Sequence, residues 1–215
     1  AILLMGLYII IAAATNVDKF DRYRSESVWV MFRLPAIPIL MLFFFGINVV
    51  GWDKVKVNYR FIFEHRPHNY LKATDIMLIT SFFGVILAVG IVLFVVAVIN
   101  DWGEHLEIIP IATVALLGCI LFLPFNTLHR RSRFWIVLSI GRMIRTPFLH
   151  VKFGDFFFAD QLTSMVVVLY DFEYFICFLL VDVYNDSEKC LDANRYVRPI
   201  LACIPSTFRL LQCLR

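Results

Sequence analysis

Long apolar runs alternate with short polar stretches along the whole chain. The runs cover residues 1–14, 34–50, 76–99, 108–125, 156–183 and 199–214. About 20 residues of α-helix cross a hydrocarbon core of roughly 30 Å, so each run is a candidate span. The pattern predicts an all-α membrane protein with six transmembrane helices. Because the first and last runs reach the chain ends, we expect residues 1–215 to be part of a longer protein, truncated at both ends.

Composition agrees with a lipid solvent, since 60% of the residues are hydrophobic and only 17% are charged. The sequence has no Gly-rich phosphate loop, HExxH or GxSxG motif, so no enzyme, cofactor or nucleic-acid partner is predicted. An intramembrane aspartyl protease needs facing carboxylates on two spans. Tyr170-Asp171 lies within the predicted span 156–183, and Phe153-Gly154-Asp155 lies directly upstream of that same span. This enzyme class is therefore rejected.

Lys and Arg are unevenly distributed between the predicted loops. Loops 51–75 and 126–152 carry five and six of them, whereas the three alternate loops together carry five. Cytoplasmic loops are the ones enriched in Lys and Arg, so these two loops are predicted to be cytoplasmic. The N-terminal side of Ala1 is then cytoplasmic as well. The basic run at 129–135 is interpreted as an orientation signal and headgroup anchor.

The cysteines and histidines show no metal-ligand spacing. The five cysteines lack any CxxC pair, and four of them lie inside predicted spans. Neither a zinc site nor a disulfide framework is predicted, and only Cys190 is placed where it could pair with a segment outside residues 1–215. His65 and His68 lie in a loop that contains Pro67 and offers only Glu64 as a nearby ligand. No metal site is expected there.

The fifth apolar run carries several polar residues. If 156–183 is one helix, Asp160, Thr163, Ser164 and Asp171 share a face, because eleven residues are three turns plus about 20°. Glu173 points elsewhere. An ionised acid costs at least about 2.5 kcal/mol in lipid, so the Asp160 face should meet protein or water.

Two arginines in the last run have the same spacing as the acids. Arg198 and Arg209 are eleven residues apart, hence on one helix face and about 16 Å apart along the axis. In an antiparallel pair of spans, Asp160 would lie at the depth of Arg209, and Asp171 nearer Arg198. These residues could form ion pairs that hold helices together, or line an anion path in which Arg donors bind a tetrahedral oxyanion.

Several strings resemble the SPX-EXS family of phosphate exporters, in order from about residue 29 to the end. They are GINVVGW (46–52), VNYRFIFE (57–64), SRFW (132–135), FGDFFFADQLTS (153–164), DFEYFICF (171–178) and RPILACIPSTFRLLQCLR (198–215). The resemblance implies export of inorganic phosphate through an EXS-type helical bundle in the lipid bilayer. It also implies a cytoplasmic SPX domain, absent here, that binds inositol polyphosphates.

The resemblance also assigns roles to residues. Asp160 occupies the place of the family's acid in the phosphate path, Thr163 replaces an Asn of the animal pattern, and Arg198 and Arg209 match family arginines. With Ser164, these residues are expected to line or brace the path. Asp171 and Glu173 are expected to be structural braces. The family's other phosphate contacts come from later helices that this sequence lacks.

The cellular role is less defined than the family. The plasma membrane is expected, with the Golgi as the alternative. A Golgi or endoplasmic-reticulum protein in lumenal phosphate recycling or protein retention, and a receptor or scaffold without a permeant, stay open as other functions. The sequence does not distinguish a channel from a carrier, or a monomer from a homo-oligomer.

Overall fold

A computed structural model describes residues 25–63, 72–102, 106–123, 141–142, 145, 152–182 and 188–214. These ranges are helical and contain no strand. The elements are α1 (Ser25–Lys54), α2 (Tyr59–Ile62), α3 (Ala73–Ile99), α4 (Ile108–Phe122), α5 (Phe153–Ser164), α6 (Val166–Cys177), a π-helical turn (Phe178–Asp182) and α7 (Glu188–Cys213). The predicted all-α class is confirmed.

The predicted spans agree with these helices to different degrees. Two helices, α1 from Val28 and α3, are long and apolar enough to cross a membrane, and α4 is a shorter apolar helix. Together, α5 and α6 pass the same test as one bent span. The run 199–214 overlaps the longer α7 up to Cys213, and the run 1–14 lies outside the described residues. The chain is therefore an integral membrane protein.

The expectation of one continuous helix over 156–183 is wrong. The chain leaves helical geometry at Met165, and α5 and α6 meet there at an angle of 70°. Met165 has a φ of −106° and a ψ of 26°, and its N–H donates to the carbonyl of Leu162. The face shared by Asp160 and Asp171 depended on unbroken 100° steps, so it does not extend across the break.

The described chain divides into two compact units. The first contains α1 up to Phe44, α3 from Ile76 and α4. Its core includes Phe32 and Phe94, whose rings meet edge to face with centroids 5.9 Å apart. Gly90 lies against Thr113, because a Cβ built on Gly90 would overlap Thr113 Oγ1 and come within 2.8 Å of its Cγ2. Helices approach closely in membranes where a residue is this small.

The second unit contains the end of α1, α2, α5, α6 and α7. Aromatic rings pack the end of α1 and the segment after it against α5. The centroid of the Phe63 ring lies 5.4 Å from that of Phe153 and 5.3 Å from that of Phe157. Helix α7 packs against α5, α6 and the π-helical turn. Acids of α5 and α6 and bases of α7 are thereby brought together.

The expectation for Cys190 is also wrong. It forms a disulfide with Cys177, with the two Cα atoms 5.9 Å apart, and needs no partner outside the chain. Cys177 ends α6, and Cys190 lies in the first turn of α7. The Cα separation is within the range that a disulfide requires, and spacing along the sequence did not indicate this pairing. Cys119, Cys203 and Cys213 are free and exposed.

Replacing Gly90 by Ala should destabilise the first unit. The added methyl group overlaps Thr113, and such overpacking costs about 1–3 kcal/mol. Gly84→Ala on the same helix is the matched control, because a Cβ there meets nothing within 4 Å. Thermal unfolding of purified protein in detergent should show a lower Tm for Gly90→Ala only. Equal Tm values for the two variants would contradict the close approach.

Reduction should expose two thiols that are protected in the native protein. The protein would be denatured with or without reductant and then labelled with a maleimide-polymer tag. Reduction should increase the number of tags on the wild-type protein by two and should not change the number on Cys190→Ser. The variant leaves Cys177 free whether or not reductant is present. Since disulfides persist in oxidising compartments, this end of α6 and α7 is expected to face the lumen or the exterior. An equal gain of tags in both proteins would refute the bond.

Candidate functional site

An ion pair joins α5 to α7. It is formed by Asp160 and Arg209, which the sequence predicted to lie at the same depth in the membrane. Arg209 Nε lies 2.7 Å from Asp160 Oδ1. The predicted proximity of these two residues is confirmed. The Asp160 side chain is 57% exposed and the Arg209 side chain 28%, so the pair is open on one side. A small anion could reach the guanidinium from that side.

Two further side chains hold the Arg209 guanidinium. Its Cζ lies 5.1 Å from the centroid of the Phe156 ring, one helical turn before Asp160 on α5. Its Nη1 donates to Gln212 Oε1 at 3.3 Å. An arginine over an aromatic face is attracted by the ring quadrupole. The guanidinium is therefore oriented by three groups, two of which belong to α5.

A second acid on α5 is buried. Asp155 is 3% exposed, and Arg142 Nε donates to its Oδ1 at 3.0 Å. The backbone N–H of Lys152 donates to Asp155 Oδ2 at 3.3 Å, which satisfies a group at the start of the helix. The positive end of the helix dipole also favours a carboxylate here. These contacts fix the N-terminal end of α5.

The hydroxyl residues beside the break differ in the donors they can offer. Thr163 Oγ1 donates to the carbonyl of Asp160 at 2.6 Å, so its proton is engaged and its oxygen is left as an acceptor. Ser164 is exposed and is the last residue of α5. Both lie within four residues of Asp160, next to the bend at Met165. Helical spacing within α5 therefore brings three short polar side chains together in its last turns, just before the break.

Arg198 of α7 lies over an aromatic ring of α6. Its Cζ is 5.8 Å from the centroid of the Tyr170 ring, three residues before Glu173. Among the described residues, Glu173 Oε2 is a buried atom without a hydrogen-bond partner. Asp171 is buried, at 2% exposed. Glu173 was expected to point away from the shared face, towards another helix or the interface, and one of its carboxylate oxygens is buried.

Sequence reasoning missed Phe156, Gln212, Asp155 and Arg142 as parts of this arrangement. Two spacings could have indicated the first two: Phe156 precedes Asp160 by four residues, and Gln212 follows Arg209 by three. The contact between Asp155 and Arg142 had no such signal. Arg142 had been counted only as one of six positive charges in a loop, and its partner depends on where that loop folds.

Comparison with known proteins gives a family match over most of the chain. Residues 28–215 match the model of the EXS family. The chain is 35% identical over 205 residues to a xenotropic and polytropic retrovirus receptor 1 homolog of Danio rerio, covering 89% of this chain and 29% of the relative. It is 34% identical over 189 residues to SPX and EXS domain-containing protein 3 of Dictyostelium discoideum, covering 88% and 21%.

A human relative shows the same pattern. The chain is 31% identical over 228 residues to solute carrier family 53 member 1 of Homo sapiens, covering 99% of this chain and 32% of the relative. The chain thus spans about a fifth to a third of the length of these curated relatives. The resemblance that the sequence motifs indicated is confirmed.

The two acids of α5 should differ in their effect on stability. Asp155→Asn removes a buried charge from Arg142 and from a helix N-terminus, so we expect it to cost about 1–3 kcal/mol. Asp160→Asn alters an exposed pair and should cost less than about 1 kcal/mol. Thermal unfolding in detergent should therefore show the lower Tm for Asp155→Asn. The reverse order would make Asp160 the structural brace.

Proposed function

The chain belongs to the EXS family, and we propose that it forms part of a path through which inorganic phosphate leaves the cell. The observation that carries this proposal is the open ion pair between Asp160 and Arg209 beside the break at Met165. Broken helices in transporters place substrate sites at the break, where helix ends and polar side chains meet. The pair has the charge and the position for such a site.

Arg209 supplies the recognition of an oxyanion. A guanidinium has five N–H donors, and the two contacts to Asp160 and Gln212 leave others for a bound anion. Its planar fork suits the oxygens of phosphate, and its charge persists at every physiological pH. Its contacts with Phe156 and Gln212 hold the fork in place while an anion replaces Asp160. The pair is thus an exchange site, in which phosphate competes with a carboxylate.

Asp160 supplies selectivity in this proposal. Inorganic phosphate retains at least one proton near neutral pH, because its third proton is lost only in strongly alkaline solution. A protonated oxyanion can donate a hydrogen bond to a carboxylate, whereas sulfate cannot. Asp160 would therefore accept this hydrogen bond while Arg209 binds the other oxygens. The exposed Ser164 hydroxyl and the Thr163 oxygen extend the polar surface next to it.

Direction and regulation belong to the full-length protein in this proposal. The basic loops predict that the N-terminal side lies in the cytoplasm, where the SPX domain of the full-length protein would bind inositol polyphosphates. Export across the plasma membrane is the direction that the family resemblance supports. Arg198, stacked on Tyr170 near the disulfide-bonded end of the bundle, would meet the anion at a later stage of the path.

Phosphate efflux should depend on the Asp160 charge. We expect Asp160→Asn, made in the full-length protein, to reduce efflux of radiolabelled phosphate from cells about fivefold at normal surface expression. The Asn carbonyl still accepts a hydrogen bond but lacks the charge, and a hydrogen bond to a charged group is worth about 1 kcal/mol more than a neutral one. Asp53→Asn is the matched control, because it removes an exposed carboxylate at the end of α1.

Wild-type efflux from well-expressed Asp160→Asn would remove this acid from the mechanism. Absence of phosphate efflux from cells expressing the wild-type protein at their surface would favour a receptor or scaffold. Surface labelling that finds the protein only inside the cell would favour the Golgi alternative.

A further inference from the structure

Gln212 connects the ion pair to the buried start of α5. Its side chain is 2% exposed. Its Nε2 donates to the backbone carbonyl of Asp155 at 3.2 Å, and its Oε1 accepts from Arg209 Nη1 at 3.3 Å. Within the described ranges, Gln212 is the one side chain that bonds both to Arg209 and to the backbone of α5. The amide therefore joins the anion-binding arginine to a fixed point on the neighbouring helix.

An amide is well suited to this position because it presents a donor and an acceptor together. The guanidinium has only donors and the carbonyl only accepts, so Gln212 satisfies both in a single orientation. A reversed amide would set NH₂ against the guanidinium and oxygen against the carbonyl. A carboxylate would lack the donor, and an aliphatic side chain would lack both groups. Burial makes either unsatisfied arrangement costly.

The anchor point at Asp155 is itself held in place. Arg142 binds the Asp155 carboxylate, whose other oxygen accepts from the Lys152 N–H, so this turn of α5 is restrained from two sides. A hydrogen bond to its carbonyl transmits that restraint to Gln212 and then to Arg209. Restraint of a binding group before the ligand arrives lowers the entropy lost on binding.

We propose that Gln212 is a positioning residue that keeps Arg209 oriented for phosphate after phosphate displaces Asp160. The proposal rests on the function proposed above, in which Arg209 binds the permeating anion. When the carboxylate of Asp160 is released, Arg209 loses its charged partner on α5. The Phe156 ring and the Gln212 amide then remain as its contacts to the protein, and of these only the amide has hydrogen-bond directionality.

The test measures phosphate affinity and maximal flux separately. Full-length protein in proteoliposomes, loaded with graded concentrations of inorganic phosphate, would be compared as wild type, Gln212→Leu, Gln212→Glu and Arg209→Gln. We expect both Gln212 variants to raise the half-saturating phosphate concentration about tenfold, with maximal flux within about twofold of wild type. Leu removes both hydrogen bonds, whereas Glu keeps the acceptor but adds an anion that competes with phosphate for Arg209.

Two controls separate positioning from simple bracing. Thr207→Val removes a hydroxyl from the same helix that bonds only to its own backbone, at Cys203, and should keep the wild-type half-saturation. In the Arg209→Gln background, Gln212→Leu should change the half-saturating phosphate concentration by less than about twofold, because the effects of residues that act through one another are not additive. If Gln212 acted independently of Arg209, Gln212→Leu would raise the half-saturating concentration in that background as much as it does in the wild type.

The outcomes distinguish this inference from the proposed function. If Arg209→Gln raises the half-saturating concentration but both Gln212 variants leave it unchanged, Gln212 does not position the arginine and the proposed function stands. The same conclusion follows if Gln212→Leu lowers only Tm and maximal flux, equally in both backgrounds. If Gln212→Leu does not fold, Gln212→Met decides, because it keeps an unbranched side chain of similar length but has no amide. If Arg209→Gln leaves the half-saturation unchanged, or wild-type vesicles release no phosphate, both proposals fail.

Discussion

An ionised side chain within a membrane-spanning bundle must meet a counter-charge or water, because lipid solvates it poorly. This constraint organises the second unit of the protein. Asp160 meets Arg209 across α5 and α7, and Asp155 meets Arg142 at the start of α5. The two pairs differ in burial, and that difference separates their roles. A buried pair fixes an element, whereas an open pair can exchange one partner for a soluble anion.

The break at Met165 gives the open pair its place in the bundle. A continuous helix would carry Asp160 and Asp171 on one face, whereas a 70° bend ends α5 immediately after Thr163 and Ser164. At the other end, the disulfide between Cys177 and Cys190 ties α6 to α7. Helix α7 is thus held by a covalent bond near its start and by Arg209 and Gln212 near its end.

Much of the outline was predictable because lipid imposes a simple pattern. A span must be long and apolar, so α1, α3 and α4 could be identified from runs of hydrophobic residues. The meeting of Asp160 and Arg209 could be predicted from depth alone, since a short loop forces adjacent spans to be antiparallel. The break at Met165 could not, because Met is an ordinary helix residue and no Pro or Gly marks the position. The distribution of acids over two half-helices followed from that break.

The sequence by itself determined the membrane as solvent, the helical class, the EXS family and the residues able to carry charge within the bundle. Hydrophobic run length, charge and motif order are properties of the chain, so they needed no coordinates. Only the tertiary structure decided which charges meet. It paired Asp155 with Arg142, placed Arg198 over the Tyr170 ring, joined Cys177 to Cys190 and set Gln212 between Arg209 and α5. These contacts depend on where helices bend and how they pack, and spacing along one helix does not contain that information.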